Sequence, residues 1–174
     1  RTAAVEVYAR GHEAELLLNG RSVGRKSIPL NGVTKFRVPY APGELTAVIR
    51  DEAGRETARS SLRSAGKETK LTLQPETETV RPDGLLYVRL RYTDEQATVK
   101  PVARGEIHVT VEGGTLLALG NACSYNARGY LTDATDTYYG EALAIIRPEG
   151  DVTLTARSPF GEARMAVPCL NDPF

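Results

Sequence analysis

"ELLLNGRSVGRK", Glu15 to Lys26, decides the fold. An apolar run leads into Asn19-Gly20, and a second run leaves it through Val23. Asn-Gly between two alternating runs is the strongest short-range hairpin signal, because a type I′ turn needs positive φ at both central residues. Leu16 and Leu18 are expected to point into a core before the turn, and Val23 after it. The nearby Arg21, Arg25 and Lys26 invite another reading, a phosphate cradle. A cradle needs a glycine-rich loop that opens a helix, and no helical period follows here. The stretch is a corner in a sheet.

The same rhythm runs on both sides of it. "VEVYA" sets Val5 and Val7 on one face and Glu6 and Tyr8 on the other. "TKFRVPY", "GELTAVIRD" and "GRETARSSLR" follow, separated by Asn31-Gly32, Pro42-Gly43 and Ala53-Gly54. Turn signals at intervals of roughly 8–12 residues predict a small antiparallel sandwich. "SAGKETK", Ser64 to Lys70, is polar and aperiodic, and a second series begins after it with "KLTLQPE" and "RPDG". "LLYVRLRYTD" then alternates, with Leu86, Val88, Leu90 and Tyr92 facing one way and Tyr87, Arg89 and Arg91 the other. "EIHVTVEG" turns Ile107, Val109 and Val111 inward and His108 outward. "GTLLALGN", "EALAIIRP", "DVTLTARS" and "EARMAVP" are expected as separate further strands. No stretch carries a helical period. The pattern predicts two β-sandwich domains meeting near residue 68.

Composition narrows the partners. The 174 residues carry 22 basic and 22 acidic side chains, scattered rather than clustered, for a formal net charge of zero. Nucleic acid and anionic membranes both reward a concentrated positive field, so neither is expected as a partner. No apolar run approaches the roughly 20 residues that span a bilayer. The chain opens on "RTAAVEVYAR", already inside a strand pattern and without the basic-then-apolar order of a secretory signal. Cys123 and Cys169 share no metal-type spacing, and two separate reduced thiols are expected ahead of a disulfide.

Signals for chemistry are sparse. A catalytic carboxylate pair must straddle one bond at about 5–10 Å. The acids here, such as Glu6, Asp51, Glu52 and Glu162, fall on outward strand positions or in turns. His12 and His108, the only histidines, are expected as surface imidazoles. Asp133 and Asp136 in "TDATD" lack the dense, glycine-punctuated ligand spacing of a calcium loop, so no metal is predicted.

One stretch breaks the run of tight turns: "NACSYNARGYLTDATDTYY", the 19 residues Asn121–Tyr139. Loops of that length are usually functional or packed against something. This one gathers four of the chain's eight tyrosines, Tyr125, Tyr130, Tyr138 and Tyr139. A tyrosine offers an apolar face and a hydroxyl together. The four rings therefore suit carbohydrate contact, contact with another part of a larger protein, or a small core of the loop's own.

A more specific pattern overlies the strands. "VEVYARGHEAELLLNGRSVGRK" followed by "FRVPYAPGELTAVIRDEAGRE" resembles the module after the catalytic barrel in bacterial enzymes of glycoside hydrolase family 2. Glu15, Leu16, Leu18, Asn19, Gly20, Gly24, Tyr40, Pro42, Gly43, Glu44 and Leu45 carry the likeness. "DGLLYVRLRYTD", "EIHVTVEGGTLLALGN" and "TYYGEALAIIRPEGDVTLTA" resemble the family's further C-terminal immunoglobulin-like domain. The expected fold class is all-β, with two consecutive antiparallel immunoglobulin-like β-sandwiches at residues 1–66 and 69–174.

The resemblance implies a β-galactosidase-like parent whose acid/base and nucleophile glutamates lie upstream in the barrel. No position here matches their motifs, so the chain is expected to be inactive alone, with no catalytic residue and no cofactor. Its implied role is to support the barrel, domain packing or oligomer assembly. The implied partners are the barrel of the same parent chain, a further copy, or a glycan. The alternative is a carbohydrate-binding module that targets the parent to a galactoside-containing glycan. A bacterial cytoplasm is the expected setting, ahead of periplasm or secretion.

Overall fold

The computed structural model describes residues 1–170; the end of the second expected domain, 171–174, lies outside them. Twelve strands and no α-helix make up the described residues, and two compact units divide between Ser64 and Ala65.

The first unit holds β1 (Thr2–Tyr8), β2 (Glu13–Leu18), β3 (Arg21–Ser27), β4 (Val33–Pro39), β5 (Glu44–Arg50) and β6 (Glu56–Arg63). β1 pairs with β4, and a second sheet runs β3-β2-β5-β6. Ala14, Leu16, Phe36, Val38 and Ile49 form the buried core, with Val5, Val7 and Val23 packed against it. Each comes from an alternate position of its strand, the period-two pattern of a sheet with one buried face. Leu18, expected in that core, is only half-buried. β6 is exposed at every residue, with an ion pair between Arg59 and Glu56 along its outer surface.

Asn19 and Gly20 sit at φ +52° and +77°, as a primed two-residue turn demands. Between Leu16 and Leu17 the register slips, so that Leu16 faces Gly24, Leu17 faces Ser22, and Val23 bulges. The Asn19 side chain has a second role. Its Oδ1 accepts the Glu44 N–H at 2.8 Å and its Nδ2 donates to the Pro42 carbonyl at 3.0 Å. The amide thus ties the β2–β3 turn to the entry of β5. Nothing lies within 4 Å of a Cβ built on Gly20, so a substitution there meets backbone strain alone. Gly20→Val should lower the stability of the first unit by about 1 kcal/mol or more. A denaturation midpoint equal to the wild type would show that the turn does not need glycine.

On the opposite face of β2, Glu15 is buried although charged. Its two carboxylate oxygens pair with Arg25 at 3.0 Å and Arg50 at 3.2 Å, from the strands on either side. Burial alone would raise its pKa; the Ser22 hydroxyl and the two guanidinium groups outweigh that and hold it below the ordinary value. This acid, prominent in the sequence, stitches three strands together.

The second unit holds β7 (Lys70–Pro75), β8 (Leu86–Thr93), β9 (Ile107–Gly120), β10 (Ala134–Thr135), β11 (Glu141–Ser158) and β12 (Gly161–Val167). The strands order β10-β9-β11-β8-β7, with β12 on the far half of β11. Leu86, Val88, Leu90 and Tyr92 are fully buried, as their alternation predicts, beneath Ile107, Leu119, Ile146 and Leu154. Tyr92 also donates its hydroxyl to the Gly105 carbonyl at 2.8 Å. Asp94 accepts the Gly66 N–H at 2.7 Å and the Thr98 N–H at 2.8 Å, which fastens the start of this unit to the end of β8.

Four segments expected as separate strands are two. "EIHVTVEG" and "GTLLALGN" are one strand, β9, and "EALAIIRP" and "DVTLTARS" are one strand, β11. Their pairing shifts register between Pro148 and Thr153, where β9 carries Gly113-Gly114. Glycine and proline punctuate a bend and a turn alike, so the sequence could not separate the two. The first half of β11 pairs with β8 and the second with β12, so each long strand passes from one layer of the sandwich to the other.

Candidate functional site

The outer face of the second unit's sheet carries an open groove of about 570 Å³. Its floor follows from register. Gln74 on β7 pairs with Arg89 on β8, Arg89 with Leu143 on β11, and Leu143 with Gly120 on β9. The next row of the same face pairs Tyr87 with Ile145 and Ile145 with Ala118. Leu143 and Ile145 are only half-buried, although Ala142, Ala144 and Ile146 between them reach the core. β11 is thus apolar on both faces here. "ALAII" holds that signal in the sequence: five apolar residues in a row, where a sheet with one wet face should alternate.

Polar groups rim this floor. Arg89 donates to Glu76 Oε1 at 3.2 Å, and Arg91 donates to Gln74 Oε1 at 2.7 Å while pairing with Glu141. Of these, Glu76, Arg89 and Glu141 line the groove, while Gln74 and Arg91 stand outside it.

The opposite wall comes from the long loop, which is more ordered than a bare connection. Asn121 Nδ2 donates to the Asp136 carbonyl at 2.8 Å, and its Oδ1 accepts the Cys123 N–H at 2.9 Å. Leu119 N–H donates to the Tyr130 carbonyl at 2.8 Å, and residues 134–135 join the sheet as β10 against His108 and Ile107. Asp136 accepts the Gly105 and Thr137 N–H groups at 3.1 and 2.7 Å, so its carboxylate organises backbone. His108 lies 2.8 Å from Glu106, which also pairs with Arg128. Among the described residues no three His, Cys, Asp or Glu side chains gather as metal ligands, and Cys123 and Cys169 are free.

The four tyrosines separate. Tyr130 and Tyr138 line the groove. The Tyr130 ring lies over Gly120, where a Cβ would collide with it, and still leaves 51% of the residue exposed. Tyr138 meets Tyr139 edge-on, with ring centroids 4.6 Å apart. Electrostatic repulsion between the two neighbouring tyrosine oxygens, with a hydrogen bond between them, pushes the Tyr138 phenol above its ordinary pKa. Tyr139 is exposed at the tip of a two-residue turn in which Tyr138 and Glu141 bond to each other. Tyr125 is 91% exposed and does not reach the groove. Sequence reasoning found two groove tyrosines and missed Glu76, Arg89, Leu143 and Ile145, which reach the site only through strand register.

Residues 1–58 match the family model described as a domain of unknown function, DUF4982. Residues 71–165, more than half of the chain, match the model described as glycoside hydrolase family 2 C-terminal domain 5. No match to a curated protein was found. Among solved structures, a glycosyl hydrolase family 2 member from Bacteroides cellulosilyticus is 26% identical, with a TM-score of 0.90 over 98% of this chain and 23% of its own. A beta-glycosidase from Bacteroides vulgatus is 22% identical, with a TM-score of 0.82 over 97% of this chain and 22% of its own. A beta-glucuronidase from glycoside hydrolase family 2 is 22% identical, with a TM-score of 0.89 over 100% of this chain and 19% of its own. The chain spans less than a quarter of the length of each of these three proteins.

Proposed function

Because the chain belongs to glycoside hydrolase family 2, as its C-terminal β-sandwich region, we propose that it serves its parent enzyme without catalysing anything itself. Its two sandwiches act as separate domains that bury apolar surface against the catalytic barrel, or assemble parent subunits, and so stabilise the active-site architecture. The observation that supports this is the match of nearly the whole chain to under a quarter of a family 2 member. Several of its acids and one histidine are also spent on structure: Glu15 stitches strands, Asp94 and Asp136 cap backbone, and His108 pairs with Glu106.

For the parent, the resemblance to β-galactosidase-like enzymes favours β-galactosides as substrates. The beta-glucuronidase among the similar structures makes β-glucuronides the competing choice. The 174-residue chain alone should hydrolyse neither a chromogenic β-galactoside nor a β-glucuronide above the buffer rate. The parent lacking it should melt earlier and lose activity. Turnover by the chain that vanishes when one of its acids is mutated would overturn the reading, as would a truncated parent that melts and works like the intact one.

A further inference from the structure

We propose that the groove on the second sandwich binds a neutral oligosaccharide. A cleft of about 570 Å³ falls in the range of roughly 300–1,000 Å³ that takes small organic ligands. Its chemistry is two-sided. Leu143, Ile145 and Ala118 give an aliphatic floor suited to the C–H face of a pyranose, and Tyr130 and Tyr138 add ring faces whose hydroxyls both donate and accept. Across the floor, Glu76, Arg89 and Glu141 present fixed acceptors and donors to vicinal hydroxyls, with Glu76 held by Arg89 and Glu141 by Arg91 behind it. Two carboxylates against one guanidinium in the lining repel an anion, so the rim favours an uncharged polyol.

An independent observation comes from Tyr139. Tyr139 and Gly140 adopt φ +52° and +79°, almost the values of Asn19 and Gly20 at +52° and +77°. The chain makes one turn with the residue that tolerates it and the other with a tyrosine that does not. A strained position kept by a large exposed side chain points to use of the side chain rather than of the turn. Here that side chain braces Tyr138, which lines the groove. A segment of the parent protein is the other occupant with a claim on an apolar floor. Against it stand the polar rim and the two aromatic walls.

The site is independent of the supporting role, which is read from parent stability rather than from sugar binding. The test is to apply the 174-residue chain to an array of neutral and uronate-bearing oligosaccharides, and to titrate the hits by calorimetry. At least one neutral oligosaccharide should bind, with a dissociation constant between about 10 µM and 1 mM. Tyr138→Ala should weaken it about tenfold or more. Tyr139→Asn carries the residue the turn prefers, so it should raise the melting temperature and yet weaken binding. Tyr130→Phe keeps the ring over Gly120 and reports the hydroxyl alone if Tyr130→Ala fails to fold. The proposal is overturned if no neutral glycan binds, if only uronate-bearing ones do, or if binding survives both Tyr138→Ala and Tyr139→Asn unchanged. It is also overturned if Tyr138→Ala destabilises the intact parent while the chain alone binds no sugar, since that marks the groove as an interdomain contact.

Discussion

Gly113→Ala should destabilise the second unit by about 3 kcal/mol. Gly113 has φ +74°, and a Cβ placed on it would collide with the carbonyl oxygen of Asp151 on the neighbouring strand. Two terms add. A left-handed backbone costs an alanine of the order of 1 kcal/mol, and overpacking against a partner that cannot rotate away typically adds 1–3 kcal/mol. The obstacle is main chain, anchored in the β9–β11 pairing where register shifts between Pro148 and Thr153. Neither strand can give locally without moving the bend. Gly150→Ala is the matched control, because Gly150 has open space and no positive φ. Urea denaturation followed on the second unit should show a lower midpoint for Gly113→Ala with the slope unchanged. Equal midpoints for the two variants would mean the bend tolerates a side chain and its geometry has been misread.

Gly43→Ala should remove about 2–4 kcal/mol from the first unit. Gly43 has φ +129°, and a Cβ there would occupy the place of the Asn19 carboxamide. That amide holds the Pro42 carbonyl at 3.0 Å and the Glu44 N–H at 2.8 Å. Displacing it breaks both bonds, each worth about 1 kcal/mol net, in addition to the backbone strain. The two residues are therefore one device, which joins "LNG" to the distant "PGEL". A double-mutant cycle separates the terms. Asn19→Gly deletes the amide while keeping the turn's freedom, so Gly43→Ala should be milder by at least about 1 kcal/mol in that background. Additive effects would show that the side chain and the glycine do not act on each other.

The sequence revealed these features unevenly, and the reasons are physical. The inward set of β8, Leu86 to Tyr92, follows from period-two alternation and needs no tertiary knowledge. Asn19-Gly20 was legible for the same reason: turn chemistry is local. The second role of Asn19 was not, because its partners lie 23 and 25 residues away. The continuity of β9 and β11 stayed hidden because Gly113-Gly114 and Pro148 read equally as a bend or an ending. In the groove, the tyrosines stood out by clustering, but Glu76, Arg89 and Glu141 opposite them read as ordinary solvent-facing positions. Only the register that pairs Arg89 with Leu143, and Leu143 with Gly120, brings them to one floor.

The two long strands have a consequence for motion. β9 with 14 residues and β11 with 18 each belong to both layers of the second sandwich. In a sandwich of short strands, one layer can open while the other stays closed. Here, separating the layers would tear the strands that build both of them. The unit should therefore behave as a single foldon, with amides at Val88 and Leu90 in one layer exchanging with solvent as slowly as those at Leu154 and Ala156 in the other. The long loop, tied by side-chain hydrogen bonds rather than by a continuous ladder, can fluctuate above that frame without loosening it.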